Sequence, residues 1–68
     1  MNIAVGVDIG GTNIRVGLVD EKGHLIDSVA FKTRPERGTD AILEELAVQI
    51  GALIRDTDVH RITAIGVG

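Results

Sequence analysis

The spacing of apolar residues changes at Pro35, and that change limits the folds open to this chain. Before Pro35 the period is two. Ile3, Val5, Val7 and Ile9 alternate with Ala4, Gly6 and Asp8, and Ile14, Val16 and Leu18 alternate with Arg15, Gly17 and Val19. A further run over His24 to Thr33 carries Leu25, Ile26, Val29 and Phe31. Such alternation predicts strands. Gly10-Gly11 separates the first two runs and Asp20-Glu21-Lys22-Gly23 the next two, with Gly23 where a positive φ is easiest. Connections this short make consecutive strands antiparallel. Pro35 cannot donate to a central ladder and ends the sheet pattern. Beyond it Ile42, Leu43, Leu46, Ile50, Leu53 and Ile54 recur at intervals of three and four, which predicts a helix over 41–55. Thr39 or Asp40 can cap it, and Asp40 suits the positive end of the helix dipole. The apolar run over 61–68 then predicts a fourth strand, reached by a helical crossover and so parallel to an earlier one. The expected fold class is α/β, in the order β-β-β-α-β, with one helix packed on a mixed sheet.

The small residues Ala4 and Gly6 on the alternate face of the first strand predict burial on both faces. Gly51 inside the helix costs up to about 1 kcal/mol relative to alanine, and predicts close packing of helix on sheet there.

Size sets a second limit. At 68 residues the chain is near the small end for independent folding, and small domains usually add disulfides or a metal. This one has no cysteine, and its two histidines, His24 and His60, stand apart. Yet 44% of its residues are hydrophobic, as in a layer whose core face meets something else. The segment is therefore expected to be one piece of a larger domain, continuing beyond Ile65-Gly66-Val67-Gly68. Exposed strand edges and apolar helix faces predict a homo-oligomer.

The formal charge of −3 argues against nucleic acid as a partner, since the one local basic group, Lys32, Arg34 and Arg37, is interrupted by Glu36. No apolar run approaches the roughly 20 residues that span a bilayer, so no membrane association is expected. The N-terminus lacks the basic start and unbroken apolar stretch of a signal peptide, and a cytoplasmic location is the default.

Chemistry concentrates in Asp8-Ile9-Gly10-Gly11-Thr12-Asn13-Ile14-Arg15. Gly-Gly between two strands marks, by itself, a hairpin turn. A carboxylate before it and a hydroxyl after it add a second reading. A turn without β-carbons exposes its backbone N–H groups, and successive N–H groups pointing one way form an anion-binding concavity. Thr12 adds a hydroxyl donor, and Arg15 a fixed positive charge if its side chain faces the loop. Asp8 would be repelled by phosphate, so its role there is to hold Mg²⁺, directly or through water. Neither the Walker A nor the dinucleotide spacing is present, and a strand follows the glycines where those motifs need a helix.

The stretch Asp8 to Arg15, followed by Val-Gly-Leu-Val-Asp and a Lys-Gly turn, resembles the first phosphate motif of the superfamily that contains actin and hexokinase. Within it the sequence is most similar to the ROK family of bacterial glucokinases, fructokinases and related repressors. The resemblance implies a ribonuclease H-like (actin-like ATPase) half-lobe, with residues 1–68 the N-terminal part of the kinase N-lobe. It implies ATP and Mg²⁺ as cofactors, a hexose such as glucose as substrate, and contacts to the β/γ-phosphates from Gly10, Gly11 and Thr12. Asn13 and Arg15 would contribute, and Asp8 would organise Mg²⁺. Related pantothenate and glycerol kinases usually carry Asn or Thr where Gly11 stands. Two alternatives stay open, a sugar-responsive transcriptional regulator of the same family and a proteobacterial-type glucokinase. The family's catalytic aspartate, sugar-binding residues, zinc cluster and adenosine pocket match nothing in these 68 residues, so the segment alone is expected to be inactive. Asp20, Asp27, Asp56 and Asp58 read as turn or strand-end residues, and both histidines as surface ones.

Overall fold

Three antiparallel strands come first in the computed structural model, which describes residues 2–68. They are β1 (Ile3–Ile9), β2 (Asn13–Asp20) and β3 (Leu25–Lys32). A short 3-10 turn over Pro35–Arg37 leads to helix α1 (Thr39–Ile54). A second turn over Val59–Arg61 opens β4 (Ile62–Val67). The strand order is β3-β2-β1-β4, with β4 parallel to β1 as a helical crossover requires. The sheet is therefore mixed.

Alternation decides which face is buried. Ile3, Val5 and Val7 of β1 and Ile14, Val16 and Leu18 of β2 form the core. Ile42, Leu46, Ile50, Leu53 and Ile54 of α1 pack against it, one helical stripe on one sheet face. Each fully buried aliphatic side chain contributes about 1.5–3 kcal/mol.

The opposite face differs from expectation. Gly6, Asp8 and Arg15 lie exposed, and Ala4 and Gly17 are only half-buried, so β1 is covered on one side among the described residues. The described residues supply a single α-helix, and a single helix covers a single face. β4 is also largely bare, with Ile65 and Val67 each about two-thirds exposed.

Two helix expectations need correction. The N-cap is Gly38, at φ 89°, and no side chain caps the helix; Thr39 and Asp40 lie within its first turn. Gly38 N–H is already spent on the Pro35 carbonyl, and the left-handed backbone there turns the chain into the helix without a capping hydroxyl. Asp40 still sits at the positive end of the dipole. Gly51 is exposed, and a β-carbon there would meet nothing within 4 Å, because it lies off the packed stripe.

The turn after β2 follows the residues closely. Asp20 Oδ1 accepts from the N–H groups of Lys22 and His24, each at 2.9 Å, and Gly23 takes φ 85°. These bonds, that from His24 above all, lower the Asp20 pKa below the ordinary carboxylate range. His24 is exposed, its Nδ1 lying 3.4 Å from Asp20 Oδ2.

Candidate functional site

All six candidate residues gather at one end of the β1–β2 hairpin. Gly10, Gly11 and Thr12 form its tip, and Asn13 is the first residue of β2. Asp8 and Arg15 are register partners two rungs below, on the face turned away from α1. Asn13 shares that face and pairs in register with Lys32 of β3.

The tip spends the carbonyls of Gly10 and Thr12 and spares the N–H groups of Gly11 and Thr12. Gly10 N–H donates to the Asn13 carbonyl at 2.9 Å, closing the hairpin. The Gly10 carbonyl accepts from the Thr33 hydroxyl at 2.8 Å, and the Thr12 carbonyl from the Thr33 N–H at 2.9 Å. Among the described residues the N–H groups of Gly11 and Thr12 have no partner. Two successive unspent donors on an exposed loop are what an incoming anion requires.

The two glycines serve different ends. A β-carbon on Gly10 would lie 2.9 Å from the Asn13 carbonyl oxygen, too close for any other residue without movement of the turn. Around Gly11 a β-carbon would meet nothing within 4 Å, and its φ is not in the left-handed region. Glycine there answers no steric demand of the described residues, and its bare Cα keeps the outside of the loop clear.

Asp8 and Arg15 line an open trough of about 500 Å³ together with Gly6, Gly17 and Ser28. Neither is ion-paired among the described residues. Arg15 thus faces the trough beside Asp8, below the tip. Asp8 belongs to no cluster of three or more His, Cys, Asp or Glu among the described residues. A cation held there would draw most of its ligands from water and phosphate. That is the habit of Mg²⁺, and a free carboxylate at the strand end fits it.

Thr33 is the residue that reading along the chain missed. The signal was present in its parity: position 33 continues the inward set of Val29 and Phe31, and a hydroxyl facing a core needs a partner. What could not be read was that the partner would be the Gly10 carbonyl, 23 residues earlier.

A mixed β-β-β-α-β sheet with this bare-glycine hairpin at its opening is the half-lobe of an actin-like ATPase fold. The chain belongs to the ROK family, whose pattern residues 4–68 match. It is 43% identical over 70 residues to a glucokinase of Streptomyces coelicolor, a match covering all of this chain and 20% of that protein. A glucokinase of Thermotoga maritima is 33% identical over 64 residues, covering 94% of this chain and 19% of the relative. Among solved structures, a ROK family glucokinase from Streptomyces griseus, in complex with glucose and AMPPNP, superposes with a TM-score of 0.81 at 30% identity. That match covers 98% of this chain and 20% of the other. A protein of Cytophaga hutchinsonii shares the fold, with a TM-score of 0.74 at 24% identity over 98% of this chain and 22% of its own. The chain spans about one fifth of the curated relatives it matches. No helix among the described residues is long and apolar enough to cross a membrane.

Proposed function

We propose that this segment is the phosphate-gripping part of the N-terminal lobe of an ATP-dependent hexose kinase, with glucose as the acceptor. The observation that carries the reading is the hairpin tip, where the Gly11 and Thr12 N–H groups are unspent and a free carboxylate stands two rungs below. Its likeness to glucokinases, one of them in complex with glucose and AMPPNP, supports the same reading.

Phosphoryl transfer asks a protein mainly for positioning and for stabilisation of charge on the phosphate oxygens. The Gly11 and Thr12 N–H groups and the Thr12 hydroxyl donate to β/γ-phosphate oxygens. Asp8 holds Mg²⁺, which when bound neutralises phosphate charge. Arg15 sets a positive charge beside Asp8 and keeps that carboxylate from dominating the local field. Asn13 offers an amide at the mouth of the loop. The general base, the sugar site and the adenosine pocket lie outside these 68 residues, and the segment alone transfers no phosphate.

The test is an ADP-release assay on the full-length protein with ATP, Mg²⁺ and glucose. Glucose-dependent ADP release is expected, and Asp8→Ala should lower kcat at least about a hundredfold, the scale of losing a main charge-stabilising group. Near-normal turnover by Asp8→Ala would sink the role of that residue. Sugar binding without any turnover would favour the regulator over the kinase.

A further inference from the structure

We infer that Thr33 is a positioning residue for the phosphate loop, setting from the core side the peptide planes whose N–H groups meet the nucleotide. The inference rests on the kinase reading above. Thr33 is 5% exposed, the one buried polar residue among those described. It follows β3 and makes two bonds to a loop that is distant in sequence. Its hydroxyl donates to the Gly10 carbonyl at 2.8 Å and its N–H to the Thr12 carbonyl at 2.9 Å.

Peptide geometry turns these bonds into control of the donors. A trans peptide unit is planar, with its carbonyl and its N–H pointing in opposite directions. Drawing the Gly10 carbonyl toward Thr33 therefore aims the Gly11 N–H away from it. Holding the Thr12 carbonyl does the same for the Asn13 N–H. The Gly11–Thr12 unit between them is left with both neighbours fixed. In a plain antiparallel pair Gly10 and Asn13 would exchange both bonds. Here only the bond from Gly10 N–H forms, and the Gly10 carbonyl serves Thr33. One residue just past β3, through its hydroxyl and its N–H, thus converts a hairpin tip into an array of outward donors.

Thr33 is itself held. Arg37 Nε donates to the Thr33 carbonyl and Nη2 to the Lys32 carbonyl, each at 3.1 Å, while Nη1 donates to Glu45 of α1. Arg34, at φ 45° and ψ 67°, reverses the chain so that Arg37 can reach back. The connection runs from the loop through Thr33 and Arg37 to the helix.

The experiment is steady-state kinetics on the full-length protein, varying ATP and glucose separately, for wild type, Thr33→Val and Thr33→Ser. Valine keeps the shape and removes the hydroxyl; serine returns it. Loss of one buried hydrogen bond that orients binding donors should raise KM for ATP about five- to tenfold. KM for glucose should stay within about twofold, and Thr33→Ser should restore the ATP value. An unchanged KM for ATP in Thr33→Val overturns the inference. So does a rise in both KM values in step with lost stability, which marks a merely structural role. Should Thr33→Val not fold, Arg37→Gln releases the Thr33 carbonyl without touching the core. KM for ATP should then rise alone, and no change overturns the inference. A wild type without glucose-dependent ADP release defeats the kinase reading first, and this inference with it.

Discussion

Alanine at Gly10 and alanine at Gly11 should separate folding from function, although the two positions are neighbours. At Gly10 the new β-carbon would sit 2.9 Å from the Asn13 carbonyl oxygen, a backbone atom that cannot swing aside. The turn must shift. The bonds at risk are the 2.9 Å bond from Gly10 N–H to Asn13 and the 2.8 Å bond from the Thr33 hydroxyl to Gly10. At about 0.5–1.5 kcal/mol each, their loss costs about 1–3 kcal/mol. At Gly11 the methyl enters open space at an ordinary φ, so the fold is unchanged or gains a few tenths of a kcal/mol by restricting the unfolded chain. On the proposed reading that open space is where a phosphate lies, so the same methyl should lower ATP affinity at least about tenfold, the scale of losing one charge-assisted hydrogen bond. Urea unfolding of the full-length protein reads the first quantity, and titration with a non-hydrolysable ATP analogue the second. Equal destabilisation by both variants would refute the steric argument. Wild-type nucleotide affinity in Gly11→Ala would refute the reason given for the bare loop.

Two further expectations concern stability. Arg34→Gly should raise the urea midpoint, because a non-glycine residue in the left-handed region costs about 1–2 kcal/mol, partly offset by glycine's larger unfolded-state entropy; a lowered midpoint would contradict the strain. Asp20 and Glu45 both have pKa values lowered in the fold, Asp20 first by the His24 N–H and Glu45 first by the Arg37 side chain. The folded state therefore favours their charged forms, and the stability they confer is complete above the ordinary carboxylate range near pH 4 and lost as pH falls through their folded values. Melting curves between pH 7 and pH 2.5 should show Asp20→Asn and Glu45→Gln flattening this acid-side loss, and an unaltered profile in both would contradict it.

The elements of this fold were legible because each rests on local chemistry. The two-residue period of Ile3 to Ile9 and Ile14 to Leu18 became β1 and β2, and their inward parity became the core except at Ile9, which is exposed. The stripe from Ile42 to Ile54 became the packed side of α1, except for Leu43, which is exposed. The candidate residues were also visible, since Asp8 to Arg15 are contiguous and a hairpin brings its own ends together. What local chemistry could not reveal was which distant groups would meet. Thr33 reaches the loop only because the β2–β3 register sets Lys32 opposite Asn13. The helix begins earlier than a cap at Thr39 or Asp40 implies, because Gly38, at φ 89°, stands at the N-cap and takes both residues into the first turn. Ala4 and Gly6 predicted a covered second face, but a small side chain permits close packing without supplying a partner, and the one α-helix among the described residues leaves that face open.

The most direct measurement is a structure of the full-length protein with a non-hydrolysable ATP analogue and Mg²⁺. The account predicts the Gly11 and Thr12 N–H groups within hydrogen-bonding distance of β- or γ-phosphate oxygens, with Asp8 at the metal directly or through one water. A triphosphate bound elsewhere, with the tip of the β1–β2 hairpin still facing solvent, would contradict it.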